Sequence, residues 1–187
     1  MKNAFVRTSM IVALTAISAT VASAQTTVEL PNSTQTTTLY ANVSEQARVT
    51  MPTSVTFNVI NTSAATAASV ASPVTITNIA LANAAKQLQV SLAATSSTSF
   101  TPSVVGGTTW ASSDVSWTDV AFSNSGDGTS GALAGVGAYQ KVQTCAANVT
   151  ECSTADLPFT LAAKPAVNYA GNHTLVMTWK FESIAGS

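Results

Sequence analysis

The sequence predicts an all-β chain folded as a two-sheet sandwich, and three observations carry that prediction. Apolar residues recur at every second position over short runs. β-Branched residues dominate those runs, and the stretches between them are rich in Gly, Pro, Asn and Ser. Several short strands separated by turn residues are the pattern of a sandwich of the immunoglobulin-like kind.

Taken in order, the 187-residue chain opens with Lys2 and Arg7, an apolar run from Met10 through Ile17, and Ala22-Ser23-Ala24. That is the layout of a secretory signal peptide over residues 1–24. Its apolar stretch is shorter than the roughly 20 residues that cross a bilayer. The mature chain is then expected to begin near Gln25 and to be exported. About 160 residues remain, a normal size for one domain with its own core. Residues 25–46 read as an N-terminal extension and residues 47–187 as the sandwich. Within the extension, residues 25–38 are Thr-rich, with Val28 and Leu30 the sizeable apolar side chains. The alternation Leu39, Ala41, Val43 follows. This segment is either a first strand of its own sandwich or a strand lent to a neighbouring subunit, where it would pair backbone groups otherwise exposed.

Clear strand signals come next. Val55, Phe57 and Val59 share one face, with Thr56 and Asn58 on the other; Val74 and Ile76 alternate with Thr75 and Thr77. Leu88, Val90 and Leu92 alternate with Gln89 and Ser91. The pattern returns at Val115 and Trp117, at Leu157, Phe159 and Leu161, and at Leu175, Met177, Trp179 and Phe181. The Ala-rich residues 64–71 and 80–85 have room for a helical turn. The Gly/Ser-rich residues 123–137 are expected to form a long mobile loop.

Composition narrows the function classes. The signal peptide holds Lys2 and Arg7, two of the seven basic residues, so the mature chain carries five against eight acidic ones, a net charge near −3. Five scattered cations make no stripe for phosphates, and no nucleic-acid partner is expected. Only 8 % of the residues are charged. A surface built from Ser, Thr, Asn and Gln suits packing against copies of the same chain. Cys145 and Cys152, with six residues between them and no CxxC spacing, are expected to form one disulfide in an exported protein.

Chemistry-bearing constellations are sparse. The single histidine, His173, lies two positions before Leu175 and reads as a structural or rim residue. No GxSxG elbow accompanies it, and no phosphate-binding or dinucleotide-binding glycine pattern occurs. Asp114, Asp119 and Asp127 are dispersed. The Asn124 to Asp127 stretch lacks EF-hand spacing, and weak calcium binding is its only metal reading. The expectation is no enzyme, no cofactor and no metal site.

In its last third the chain reads Asn168-Tyr169-Ala170-Gly171 and, after three residues, Leu175-Val176-Met177-Thr178. This resembles the NYxG…LVMT ending of the alpha-class fimbrial major pilins assembled by the chaperone-usher route. Thr160-Leu161-Ala162-Ala163-Lys164-Pro165 is similar to their strand and Ala-Ala-Pro-Lys-type turn. Asp114-Val115-Ser116-Trp117 is similar to their SVSW segment, Leu88-Gln89-Val90-Ser91-Leu92-Ala93 to their VxVKLA strand, and Thr38-Leu39-Tyr40-Ala41-Asn42-Val43 to the TVTASV of their donor strand. The five matches fall in the family's order and span most of the mature chain.

The resemblance implies an incomplete sandwich whose groove accepts the N-terminal strand of its neighbour. Leu39, Ala41 and Val43 would be the donor side chains. Leu175, Met177, Trp179 and Phe181 would line the acceptor strand. The implied partners are further copies of the chain, a periplasmic chaperone, an outer-membrane usher and a host or surface glycan; the implied location is the cell surface, reached through the periplasm. Three departures stand out: a dozen extra residues before the donor match, a last strand running on through Ile184, and the cysteine pair. The first leaves the donor register open. A second reading, from a different class, is a self-complete binding module similar to cell-wall-associated WxL domains, with Trp110 or Trp117 exposed to stack on sugar rings.

Overall fold

A computed structural model of the chain describes residues 38–186. The signal-peptide reading, and Val28 and Leu30 of the tail, lie outside those residues. The compact unit that carries the fold begins at Asn42.

The described residues are all β, with no α-helix. The strands are β1 (Gln46–Thr50), β2 (Thr66–Ala67), β3 (Val74–Ala80), β4 (Lys86–Ala94), β5 (Val115–Trp117), β6 (Ser125–Gly128), β7 (Gly131–Ala132), β8 (Gln140–Cys145), β9 (Glu151–Thr154), β10 (Phe159–Leu161) and β11 (Met177–Ala185). They form three sheets, ordered β1-β3-β9, β2-β10-β5-β7 and β11-β4-β8-β6. All their strand pairs are antiparallel. Val74 and Ile76 from the first sheet, Val115, Trp117, Phe159 and Leu161 from the second, and Leu88, Val90, Leu92 and Val142 from the third meet in one apolar cluster. The expected all-β, sandwich-like fold is borne out.

Local sequence explains the details of the strands. In β3, Val74 and Ile76 are fully buried while Thr75 is exposed, but the inward parity then shifts and Ile79 becomes the buried residue. Asn78 takes a positive φ of 53°, and opposite it the β1 register jumps from Arg48↔Thr77 to Gln46↔Ala80. Asn tolerates this left-handed conformation better than most residues, and the resulting bulge re-aims the strand. The Ala-rich residues 64–71 hold β2 and turns rather than a helix.

Residues 123–137 contradict the mobile-loop expectation. They contain β6, paired with β8, and β7, paired with β5, and they bury Leu133. Glycine here serves close approach rather than mobility. A Cβ on Gly131 would sit 2.7 Å from Cζ2 of Trp117, and one on Gly128 would sit 1.9 Å from Oδ1 of Asp119. Small residues are what allow this segment to lie against the Trp117 ring, whose Nε1 donates to the Thr129 carbonyl at 2.8 Å.

The disulfide is formed as expected. Cys145 ends β8 in the third sheet and Cys152 lies in β9 of the first, so the bond ties two sheets together across a Cα separation of 5.8 Å. Both cysteines are completely buried. Asn148, with φ of 58°, turns the short connection between them. Closing this loop stabilises the fold by about 2 to 3 kcal/mol on the chain-entropy model.

Candidate functional site

The site is a groove between two chain segments that approach the core without pairing to each other. Its first wall follows β1. Pro52 has no N–H to give a ladder, and its ring holds Met51 extended, so the chain leaves β3 at that point. Residues 53–60 then run outside any sheet, with bends at Thr53 and Ile60 and the Val59 amide donating back to the Phe57 carbonyl at 3.2 Å. Val55, Phe57 and Val59 are half-buried and pack on the core, while Thr56 and Asn58 are exposed. The alternation read from the sequence holds here without a strand partner. On one side the Thr56 carbonyl accepts from the Ser69 amide at 2.8 Å and the Ser69 hydroxyl at 3.0 Å. The backbone N–H groups of Thr53 through Asn58 donate to no acceptor among the described residues.

The second wall is β11 with the residues before it. β11 pairs with β4 along its full length, from Met177↔Ala94 to Ala185↔Lys86, and it stands at the edge of its sheet. Its other edge has no strand partner among the described residues. Leu175, Met177 and Trp179 line the groove, each half-buried. Phe181 is not among the lining residues; its ring stacks on Trp179, with centroids 6.4 Å apart and planes 8° from parallel. Trp179 in turn meets Phe159 edge to face at 6.5 Å. Between the walls the floor is core: Phe100, Trp110, Val115, Leu133, Phe159 and Leu161.

The groove measures about 1370 Å³, and no Asp, Glu, Lys or Arg lines it. That exceeds the roughly 300–1,000 Å³ of a typical small-ligand pocket. The absence of charged lining argues against a charged ligand. An apolar trough beside a free strand edge can accept alternate side chains into its floor and backbone hydrogen bonds along its rim, the two requirements of strand addition.

His173 sits at the rim. Its Nε2 is 3.1 Å from the Tyr169 carbonyl, which can only accept, so in the neutral ring Nε2 carries the proton and Nδ1 accepts from the Thr109 hydroxyl at 2.8 Å. The ring meets Trp110 edge to face at 5.3 Å. Ser103 Oγ lies 3.5 Å from Nε2, and no carboxylate among the described residues bonds to the histidine. These contacts hold the Asn168–Gly171 turn against the 100–109 hairpin: Asn168 Oδ1 accepts from the Thr108 amide, and the Ala170 carbonyl accepts from Ser103 Oγ.

Beyond the Trp179 end of the lining, the two walls are bridged by a residue that carried no signal in the sequence. Glu45 precedes β1, and its Oε1 accepts from the Ala82 amide at 2.7 Å and from Ser183 Oγ of β11 at 2.9 Å. These hydrogen bonds, the Ala82 amide first and then the Ser183 hydroxyl, hold the carboxyl below its ordinary value, helped by Lys86 and opposed by partial desolvation.

The residues expected to be donors lie apart from any strand. Leu39 and Tyr40 are each 89 % exposed, Val43 is 76 % exposed, and Ala41 is exposed as well. Trp110 and Trp117, offered as sugar-stacking platforms, are 4 % and 2 % exposed, and the Trp110 Nε1 is satisfied by the Ala162 carbonyl at 3.0 Å. Aromatic rings make good core filler, and the alternation of Val115 and Trp117 that places Trp117 inward was already visible. Asn124 and Asp127 fall at β6, with Asp127 paired to Lys141, and no cluster of three or more metal-ligating side chains occurs among the described residues. No family model, curated protein or solved structure matches the chain.

Proposed function

We propose that this chain is a structural subunit of a bacterial surface fibre, polymerising by exchange of a β-strand between neighbouring copies, as its resemblance to the alpha-class fimbrial major pilins implies. The observation that carries the reading is a pairing of features on one chain. A charge-free apolar groove lies beside the edge of β11 that has no strand partner among the described residues, and an exposed alternating run, Leu39, Ala41 and Val43, precedes β1. The groove walls offer three inward positions at a spacing of two, Val55, Phe57, Val59 on one side and Leu175, Met177, Trp179 on the other. The run from Leu39 to Val43 supplies three side chains at the same spacing.

On this reading the immunoglobulin-like sandwich of each subunit is completed by its neighbour. A periplasmic chaperone and an outer-membrane usher are the partners that would hold and exchange the groove before a copy fills it, and the finished fibre would stand on the cell surface, where a glycan is the expected adhesion ligand. The chain has no enzymatic role in this scheme. The self-complete binding module loses the feature that motivated it, since neither Trp110 nor Trp117 offers a ring face.

The test is a denaturing gel of material sheared from producing cells, run unheated and heated. Strand-exchanged fibres persist because they unfold very slowly. The expected result is a ladder of multimers that collapses to monomer only on heating, and that is lost when residues 25–43 of the mature chain are deleted. A monomer in both lanes from the intact mature chain would overturn the proposal.

A further inference from the structure

The two walls of the groove are joined at one end only. Among the described residues, one hydrogen bond connects the chain leading into β1 with β11, and it is the Ser183 hydroxyl donating to Glu45. The same carboxylate oxygen also holds the Ala82 amide just beyond β3. The groove lining runs from Leu175 to Trp179 on the β11 side and begins at Val49 on the other, so it ends short of this bridge. Ser183 lies six residues, or about 20 Å, along the strand from Met177. The walls are thus joined by a hydrogen bond only beyond the Trp179 end of the lining, at Ser183.

We propose that the Glu45–Ser183 bridge is a register stop for a strand from a second copy lying in the groove, an inference that rests on the strand-exchange reading above. Side-chain parity already forbids slips of one residue, because these would turn Tyr40 and Asn42 toward the floor in place of Leu39, Ala41 and Val43. Parity does not forbid slips of two. Such a slip keeps apolar residues facing the core and merely moves each into the next position. A strand sliding that way past Trp179 meets the bridge spanning the walls and must break its two hydrogen bonds to pass. Glu45 and Ser183 therefore act as positioning residues: neither lines the groove, and both decide where an occupant halts.

The experiment places a photo-crosslinking phenylalanine analogue at Ala41 of the full mature chain and maps, by mass spectrometry of sheared multimers, which β11 residue of the neighbour is captured. Wild type and Glu45→Gln, which keeps an acceptor oxygen, are expected to give one site. Ser183→Ala and Glu45→Ala are expected to lose that uniqueness and add a second site two residues away. Thermal melting of each variant monitors folding, and Ser183→Ala removes only a surface hydroxyl, so it keeps the question answerable if Glu45→Ala folds poorly. A single unchanged site in Ser183→Ala, or several sites already in wild type, would overturn the stop while leaving strand exchange standing. Failure of every chain to form multimers would overturn both.

Discussion

The two ends of β11 make opposite use of the same strand. At its C-terminal end Ser183 is held by Glu45, and the sheet to which β11 belongs is stapled to the β1-β3-β9 sheet by the buried Cys145–Cys152 bond. At its N-terminal end Leu175, Met177 and Trp179 face a trough, half-buried, with a backbone edge that has no strand partner among the described residues. The comparison teaches that incompleteness here is local. The core beneath the groove is as dry as the rest, with Phe159 1 % and Leu161 3 % exposed, so the fold does not fray toward its open side.

The largest effect that would break this contrast is expected at the groove floor. Phe159→Ala removes a fully buried ring that touches Trp179 and is shared by closed and open regions alike, and it should cost about 3 to 5 kcal/mol. Met177→Ala in the half-buried wall should cost roughly 1 kcal/mol, near the middle of the range for single substitutions. Urea unfolding of the monomer checks both, and equal losses at the two positions would mean that the wall is part of the core. Unheated multimers should reverse the ranking of concern: Met177→Ala is expected to weaken them visibly although it barely touches the monomer.

Next in size is the stapled side. Replacing both cysteines by Ala should lower stability by roughly 2 to 5 kcal/mol, the usual range for loss of a native disulfide. Gly131→Ala should cost about 1 to 3 kcal/mol, because its Cβ would fall 2.7 Å from the buried Trp117 ring and backbone or ring must shift. The readout is the midpoint of denaturant unfolding, with Trp fluorescence reporting the displaced ring. A neutral Gly131→Ala would show that the segment around β7 packs loosely after all.

How much of this was legible in the sequence follows from where period two is strong. Val74 and Ile76, Leu88 to Leu92, and Phe159 to Leu161 alternate in the sequence and each was found buried in a strand, although β4 is buried on both faces from Val90 to Ala94. The strands β6 and β7 were not legible, because Ser125, Gly126, Gly128 and Gly131 carry the composition of a loop. In the space that the missing side chains leave, Gly131 lies against the Trp117 ring and Gly128 against Asp119 and Gln143. The alternation of Val55, Phe57 and Val59 was legible, but not that it would go unpaired to form a groove wall; that depends on Pro52 turning the chain away from β3. Glu45 was invisible, since a lone carboxylate before a strand means nothing until folding brings Ala82 and Ser183 to it.

The smallest expected effect is the one that isolates the Glu45 charge. Its carboxyl is held below the ordinary 4.5, chiefly by the Ala82 amide and then by the Ser183 hydroxyl, so the folded state favours the ionised form more than the unfolded state does. The resulting stabilisation is complete above the ordinary carboxylate range and is lost as pH falls from about 4.5 through the lower folded value. Glu45→Gln keeps an acceptor oxygen but cannot ionise, so wild type should exceed it in denaturation midpoint at pH 7, by a small amount because the site is open to solvent. That difference should shrink below pH 4.5 and vanish once both side chains are neutral. Subtracting one variant from the other removes the common titration of the remaining carboxylates. A difference that stayed constant down to pH 2.5 would show that the closed end is held by shape alone, and that the charge on Glu45 contributes nothing to keeping the walls together.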